Sequence, residues 1–262
     1  FYLGRGEHLL YTLAALATVL IIFCIGLMDD LLGWKIGLKR WQKPLLTLAA
    51  ALPMMAVNAG ESSISVPLLG NLELGLLYPL LLVPAGIAGA ANGFNMLAGY
   101  NGLEAGMGVI LLGAMGYVSW STGTGWVAVI AGTMLFSLLG FLRYNWYPAR
   151  LFPGDSMTYS VGALIACIAI LGNMEKLALV LFIPYFLDFL LPLRKRFNVE
   201  AFGMPRQDGS LLPRYGGIYD LTHAAMKLLI ALRGRATEQG VTLILLGGEA
   251  VLAALAVWWF LA

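Results

Sequence analysis

Histidine and cysteine are almost absent from this 262-residue chain, with two of each. His8 and His223 stand in different connections, so they cannot cluster the nitrogen and sulfur ligands that zinc favours. His223, in "YDLTHAAMK", reads as a helix-surface residue. Cys24 and Cys167 fall in apolar runs, where a thiol behaves as a small hydrophobe, and no disulfide or metal site is expected from them. Charge is scarce as well: Asp, Glu, Lys and Arg make up 11% of the chain and the net charge is +2, so no nucleic-acid partner is expected. A phosphate loop ending in Gly-Lys-Ser/Thr is missing, and so are internal repeats.

Apolar length is what the sequence has in abundance. A hydrophobic share of 60% and a mean hydropathy of +0.83 place the chain in a bilayer. A helix needs about 20 residues to cross the hydrocarbon layer. Eight stretches qualify or nearly do: 9–27, 45–58, 74–93, 106–121, 126–142, 157–172, 177–193 and 241–261. The second, "LLTLAAALPMMAVN", is short and contains Pro53, so re-entry is the alternative to crossing.

Charge parity favours crossing. The connections after the first, fifth and seventh stretches hold Lys35, Lys39, Arg40 and Lys43, then Arg143 and Arg150, then eight basic residues from Arg194 to Arg235. Only Arg5 and Lys176 of the sixteen basic residues fall on the other side. By the positive-inside rule the crowded side is cytoplasmic, and both ends lie outside. The expected fold is therefore an all-α polytopic membrane protein with eight spans in a single domain. One outer loop suggests a small β-hairpin, from the alternating Ile64, Val66 and Leu68 and the turn-like Gly70-Asn71.

The few polar groups gather on the cytoplasmic side. Asp29 and Asp30 end the first span, where helix carbonyls already repel carboxylates, so a lysine such as Lys43 or a divalent cation should lie nearby. Asp155, in "FPGDSMTYS", either caps a helix or faces a phosphate at that helix's N-terminus across a metal. In "NGFNMLAGYNGLEAG", Asn92, Asn95, Asn101 and Glu104 offer oxygens, while Gly99, Gly102 and Gly106 allow a bent backbone. Oxygen donors of this kind suit magnesium, which is typically held by one or two carboxylates plus substrate phosphates.

In this order, "MDD", "GLKRWQK", "NGFNMLAGYNGLEAG" and "RYNWYPARLFPGDS" resemble the polyprenyl-phosphate N-acetylhexosamine-1-phosphate transferases, over about Ile25 to Arg214. The wording is closest to the eukaryotic and archaeal dolichyl-phosphate branch. The resemblance implies ten spans in the family, so two would precede the eight read here. It implies a site on the cytoplasmic face of an archaeal plasma membrane or the endoplasmic reticulum. There, N-acetylglucosamine 1-phosphate would pass from UDP-N-acetylglucosamine to dolichyl phosphate, releasing UMP, as the first step of lipid-linked oligosaccharide synthesis.

By the same resemblance Asn95 and Asp155 hold Mg2+, with Mn2+ as a substitute, and Lys43 contacts the diphosphate. Asp29 and Asp30 orient or deprotonate the lipid phosphate and hold Lys43. Gly99 and Asn101 read the uracil, and Phe152 stacks on it. Arg206 aligns with the first arginine of an Arg-His-Arg cluster, and Arg214 stands in for the second. Membrane lipids and a homodimer complete the expected partners.

Three readings compete. The same chemistry could serve another UDP-sugar or undecaprenyl phosphate. An inactive assembly subunit would not need Asp29, Asp30, Lys43, Asn95 and Asp155 together. A transporter would usually show repeats and intramembrane charges with partners, whereas Asp188 and Glu249 have no evident basic partner in sequence.

Overall fold

The computed structural model describes residues 6–33, 37–60, 63–66 and 70–262. Arg5, Lys35 and Leu68, which entered the charge and hairpin readings, lie outside the described residues. The chain is mostly helical, and its long helices separate into straight and broken ones. The straight ones are α1 (Gly6–Leu32), α5 (Leu103–Ser121), α6 (Gly125–Asn145), α7 (Gly154–Leu171) and α11 (Glu238–Leu261). These five are long and apolar enough to cross a membrane. None contains proline.

Proline marks every broken one. Pro53 is the second residue of α3 (Leu52–Ala56), which follows α2 (Gln42–Ala50) after a break at Ala51. Pro79 lies in the first turn of a π-helical stretch at Tyr78–Leu82, and Pro84 in the first turn of α4 (Val83–Met96), which follows it. Pro184 opens α9 (Ile183–Leu193), which bends by 52° from α8 (Glu175–Leu181), and this bent pair counts as a sixth span if taken together. A proline has no N–H for the preceding turn and its ring presses on that turn's carbonyl, so the helix breaks or kinks there.

Two small sheets occur among the described residues. β1 (Ser63–Val66) pairs antiparallel with β2 (Gly70–Glu73), with Val66 opposite Gly70. Gly70 and Asn71, expected as a turn, are therefore strand residues. β3 (Met204–Pro205) pairs with β4 (Leu211–Leu212) in the last long connection. That connection also holds α10 (Leu221–Arg233), capped by the Asp220 carboxylate on the Thr222 amide and closed by Gly234 at φ 72°. His223 is buried inside α10, its ring bonded to the Glu200 carbonyl and accepting from the Tyr219 amide, so it is not a surface residue.

α7 is the central helix. Every residue from Thr158 to Leu171 is buried, including Cys167, whereas α1, α6 and α11 keep broad exposed apolar faces of the kind lipid covers. In a bilayer helices gain little from hydrophobicity alone, so close backbone approach at small residues does much of the joining. At Gly162 a Cβ would meet the Ala90 carbonyl oxygen of α4 at 2.4 Å. At Gly26 it would meet the Asp155 backbone at 2.6 Å, which seats α1 on the first turn of α7.

Gly162→Ala is expected to destabilise the bundle by about 1–3 kcal/mol, as overpacking does. Gly132→Ala, at an open position, should leave stability unchanged or raise it. Thermal unfolding in detergent micelles compares the two, and equal melting temperatures would refute the close-packing account.

Candidate active site

One end of the bundle collects the polar residues. The C-terminus of α1, the start of α2, the C-terminus of α4 and the N-terminus of α7 meet there, joined by side chains. Lys43 Nζ lies 2.7 Å from Asp29 Oδ2 and 2.7 Å from Asp155 Oδ2. The Asn95 amide donates to Asp155 Oδ1 at 2.9 Å. Asp29 Oδ1 also accepts the Leu38 amide. Asp29, Asn95 and Asp155, spread over more than a hundred residues of sequence, thus converge on one small volume.

Lys43 is the hinge of this group. Its side chain and that of Asp155 are each 24% exposed, and Asp29 is 13% exposed. Burial works to lower the lysine's pKa, but the hydrogen-bonded pairs with Asp155 and Asp29 outweigh it and raise the pKa above its ordinary 10.5. Lys43 thus stays charged across physiological pH. Without it two partly buried carboxylates would face each other.

Asp30 takes a different task from its neighbour. Its two oxygens accept the amides of Asp155 and Ser156 at 2.8 and 2.9 Å. These are free amides of the first turn of α7, which a helix cannot satisfy internally and whose positive end favours an anion. The capping of α7 therefore comes from α1, across 125 residues, and not from Asp155, whose carboxylate is left to face Lys43 and Asn95. Gly154, at φ 62°, brings the backbone so close that a Cβ would meet Asp30 Oδ2 at 2.6 Å.

Beside this cluster lies a cavity of about 220 Å³. Asn95 and Asp155 form its border with the ionic group, and Gly99, Asn101, Glu104 and Phe152 line it further on. Two loops make the walls, 97–102 before α5 and 146–153 before α7. Asn145, at the end of α6, ties both: its Oδ1 accepts the Gly102 amide at 3.1 Å and its Nδ2 donates to the Leu151 carbonyl at 2.9 Å. Gly99 sits at φ 100°, its amide donating to Glu104 Oε1 at 2.6 Å. The Phe202 ring lies on Gly99, where a Cβ would meet it at 2.2 Å. The Asn101 amide is held by Glu238 Oε1 at 2.9 Å.

Not every residue of the sequence reading reaches this place. Asn92 bonds to Thr47 Oγ1 and the Ala88 carbonyl, linking α4 to α2 away from the cavity. Arg206 is exposed at the β3–β4 turn, its amide bonded to the Ser210 carbonyl, and Arg214 pairs with Glu200; neither lines the cavity. Asp188 gains a partner from the fold, the Leu221 amide at 2.9 Å, while both Glu249 oxygens are buried without a partner among the described residues. Asn145, Phe202 and Glu238 were missed. A lone asparagine or glutamate at a helix end looks like a solvated terminus until the loop it braces is placed beside it.

These groups define a partly buried ionic cluster beside a cavity, at one end of a bundle of apolar helices. Residues 12–173 match the profile of glycosyl transferase family 4, and the chain belongs to that family. A Saccharolobus solfataricus protein bearing the name UDP-N-acetylglucosamine–dolichyl-phosphate N-acetylglucosaminephosphotransferase is 38% identical over 246 residues, 93% of this chain and 73% of its own length. The Dictyostelium discoideum protein of that name is 31% identical over 71% of this chain and 52% of its own. A Streptococcus thermophilus phospho-N-acetylmuramoyl-pentapeptide-transferase is 35% identical over 72% of this chain and 57% of its own.

Asp30→Ala should lower stability by about 1–2 kcal/mol, the loss of a cap, and so lower the melting temperature in detergent; an unchanged value would remove the bridging role. The sign for Lys43 follows from its raised pKa: its contribution is fully present below 10.5 and fades only as pH rises through the higher folded value. Wild-type melting should therefore show no loss from this pair between about pH 6 and 9. Lys43→Met should be less stable at the upper end of that range than at the lower, because protonation relieves the two carboxylates.

Proposed function

We propose that this protein transfers N-acetylglucosamine 1-phosphate from UDP-N-acetylglucosamine to a dolichyl-type polyprenyl phosphate, releasing UMP, as the first step of lipid-linked oligosaccharide synthesis for N-glycosylation. The observation that carries this reading is the convergence of Asp29, Lys43, Asn95 and Asp155 beside a cavity at the end of an apolar bundle. Relatives whose names state that reaction cover most of the chain.

The chemistry is a phosphoryl transfer between two anions. An oxygen of the lipid phosphate bonds to the β-phosphorus of the nucleotide sugar, and the bond from that phosphorus to the oxygen bridging to the α-phosphate breaks. The electron pair leaves with UMP. Such a reaction depends on positioning and on neutralising charge more than on covalent help. A lipid phosphate is already ionised at neutral pH, so a strong base is unnecessary, and a direct displacement is preferred to an aspartyl-phosphate intermediate.

The residues divide this work. Lys43, positive throughout the working pH range, neutralises the diphosphate. Asp29 keeps that lysine in place. Asp30, a positioning residue, fixes the first turn of α7 and with it Asp155. One carboxylate and one amide side by side on the cavity border make an oxygen donor set that suits Mg2+ shared with a substrate diphosphate, with Mn2+ as a substitute. Asp155 and Asn95 would hold that ion, which would screen the phosphate charges. Asn101 and Phe152 offer an amide edge and a ring face to the uracil.

In the membrane we place eight segments, counting 45–58 and 74–93 as crossings although proline interrupts both, which leaves Lys43 in the connection before the first of them. The site then faces the cytoplasm, because Lys39, Arg40, Arg143, Arg150 and Arg194 lie in connections at its end of the bundle. A water-soluble nucleotide and a bilayer-bound lipid phosphate can meet only at such a boundary.

Full-length protein in detergent, given Mg2+, UDP-N-acetylglucosamine and dolichyl phosphate, should release UMP and form the lipid product. Asp155→Ala should lose roughly 100-fold or more, and Lys43→Ala at least about tenfold, as expected when charge stabilisation is removed. No product with all three components sinks the proposal, and full activity in excess chelator removes the metal role. Undecaprenyl phosphate and UDP-glucose as replacements test the alternative substrates.

A further inference from the structure

Glu104 is a carboxylate that the transfer chemistry leaves unused. It stands in the first turn of α5, in the cavity wall, and is 4% exposed. Oε1 accepts the Gly99 amide. Oε2 is buried with no hydrogen-bond partner among the described residues. A second carboxylate near this wall, Glu238, is engaged with the Asn101 backbone N–H. A buried acceptor without a donor is costly and rare, and in a cavity wall it calls for a ligand that donates.

The rest of the cavity says what kind of donor fits. Phe152 brings a ring, Asn101 an amide side chain, and Gly99 a backbone without a Cβ, covered by the Phe202 ring. A flat heterocycle with mixed donors and acceptors suits these walls. Uracil carries an N3–H between two carbonyl oxygens, whereas cytosine carries a bare N3 acceptor at that position. We propose that Glu104 accepts the N3–H of the bound pyrimidine through Oε2 and thereby selects uridine over cytidine nucleotides. This rests on the cavity being the nucleotide site. An acceptor facing cytosine N3 leaves both groups unpaired, and a site built to bond a donor rejects ligands lacking it strongly.

Competition by UMP, CMP and N3-methyl-UMP against UDP-N-acetylglucosamine, followed as lipid-product formation by the full-length protein, tests this. In the wild type, UMP should inhibit about tenfold or more strongly than either analogue. Glu104→Gln keeps an acceptor for Gly99 and offers an N–H in place of Oε2. UMP should then weaken about tenfold, and its advantage over CMP should vanish or invert. An unchanged ratio of UMP to CMP in a folded Glu104→Gln makes Glu104 a brace for Gly99 and overturns the proposal. If that variant does not fold, the wild-type analogue decides: N3-methyl-UMP as potent as UMP overturns it too. No inhibition of the wild type by UMP would instead take down the nucleotide reading of the cavity, and this proposal with it.

Discussion

Lys43 between two carboxylates is the interaction on which the site depends. Asp29 belongs to α1 and Asp155 to α7, and the ammonium that joins them comes from the start of α2. Removing a partner from such a partly buried group leaves charge uncompensated, which costs far more than the net worth of the pair. The lysine therefore does two things at once. It closes the helix ends into one face, and it relieves the repulsion between the two carboxylates that meet there.

That closure relies on a second contact, between Asp30 and the first turn of α7. Adjacent residues at a helix end point in different directions, so one aspartate can serve the lysine and the next the helix amides. Gly26 and Gly154 let the backbones come near enough for both. Deeper in the bundle Gly162 does the same for α4 and α7. Polar ties at the boundary and glycine contacts in the apolar layer thus divide the joining of α7 to its neighbours, as a bilayer setting requires.

The cavity is shaped by residues whose sequence context is bland. Asn145 binds the backbone of both loops, Glu104 takes the Gly99 amide, and the Phe202 ring covers Gly99 from the last connection. Buried loop backbone must find partners, and here side chains from α5, α6 and α11 supply them. The loops can then stay open toward a ligand without losing their form. The last connection is consequently fastened to the cavity side, through Phe202 and through Tyr100, whose hydroxyl accepts the Gly203 amide.

By itself the sequence determined the apolar helical class, the weak second stretch with its Pro53, and the residue types of the site. Each of these follows from local chemistry: hydropathy, the missing proline N–H, the oxygen donors of Asp, Asn and Glu. Only the tertiary structure decided which aspartate faces Lys43 and which caps α7, that Asn92 stays out while Asn145 and Glu238 brace the cavity, and that His223 is buried. It also placed Arg206 and Arg214 away from the cavity wall. Those assignments depend on directions and distances between segments up to about a hundred and forty residues apart, such as Asn101 and Glu238. No local pattern encodes such directions, because they are set by how helices pack.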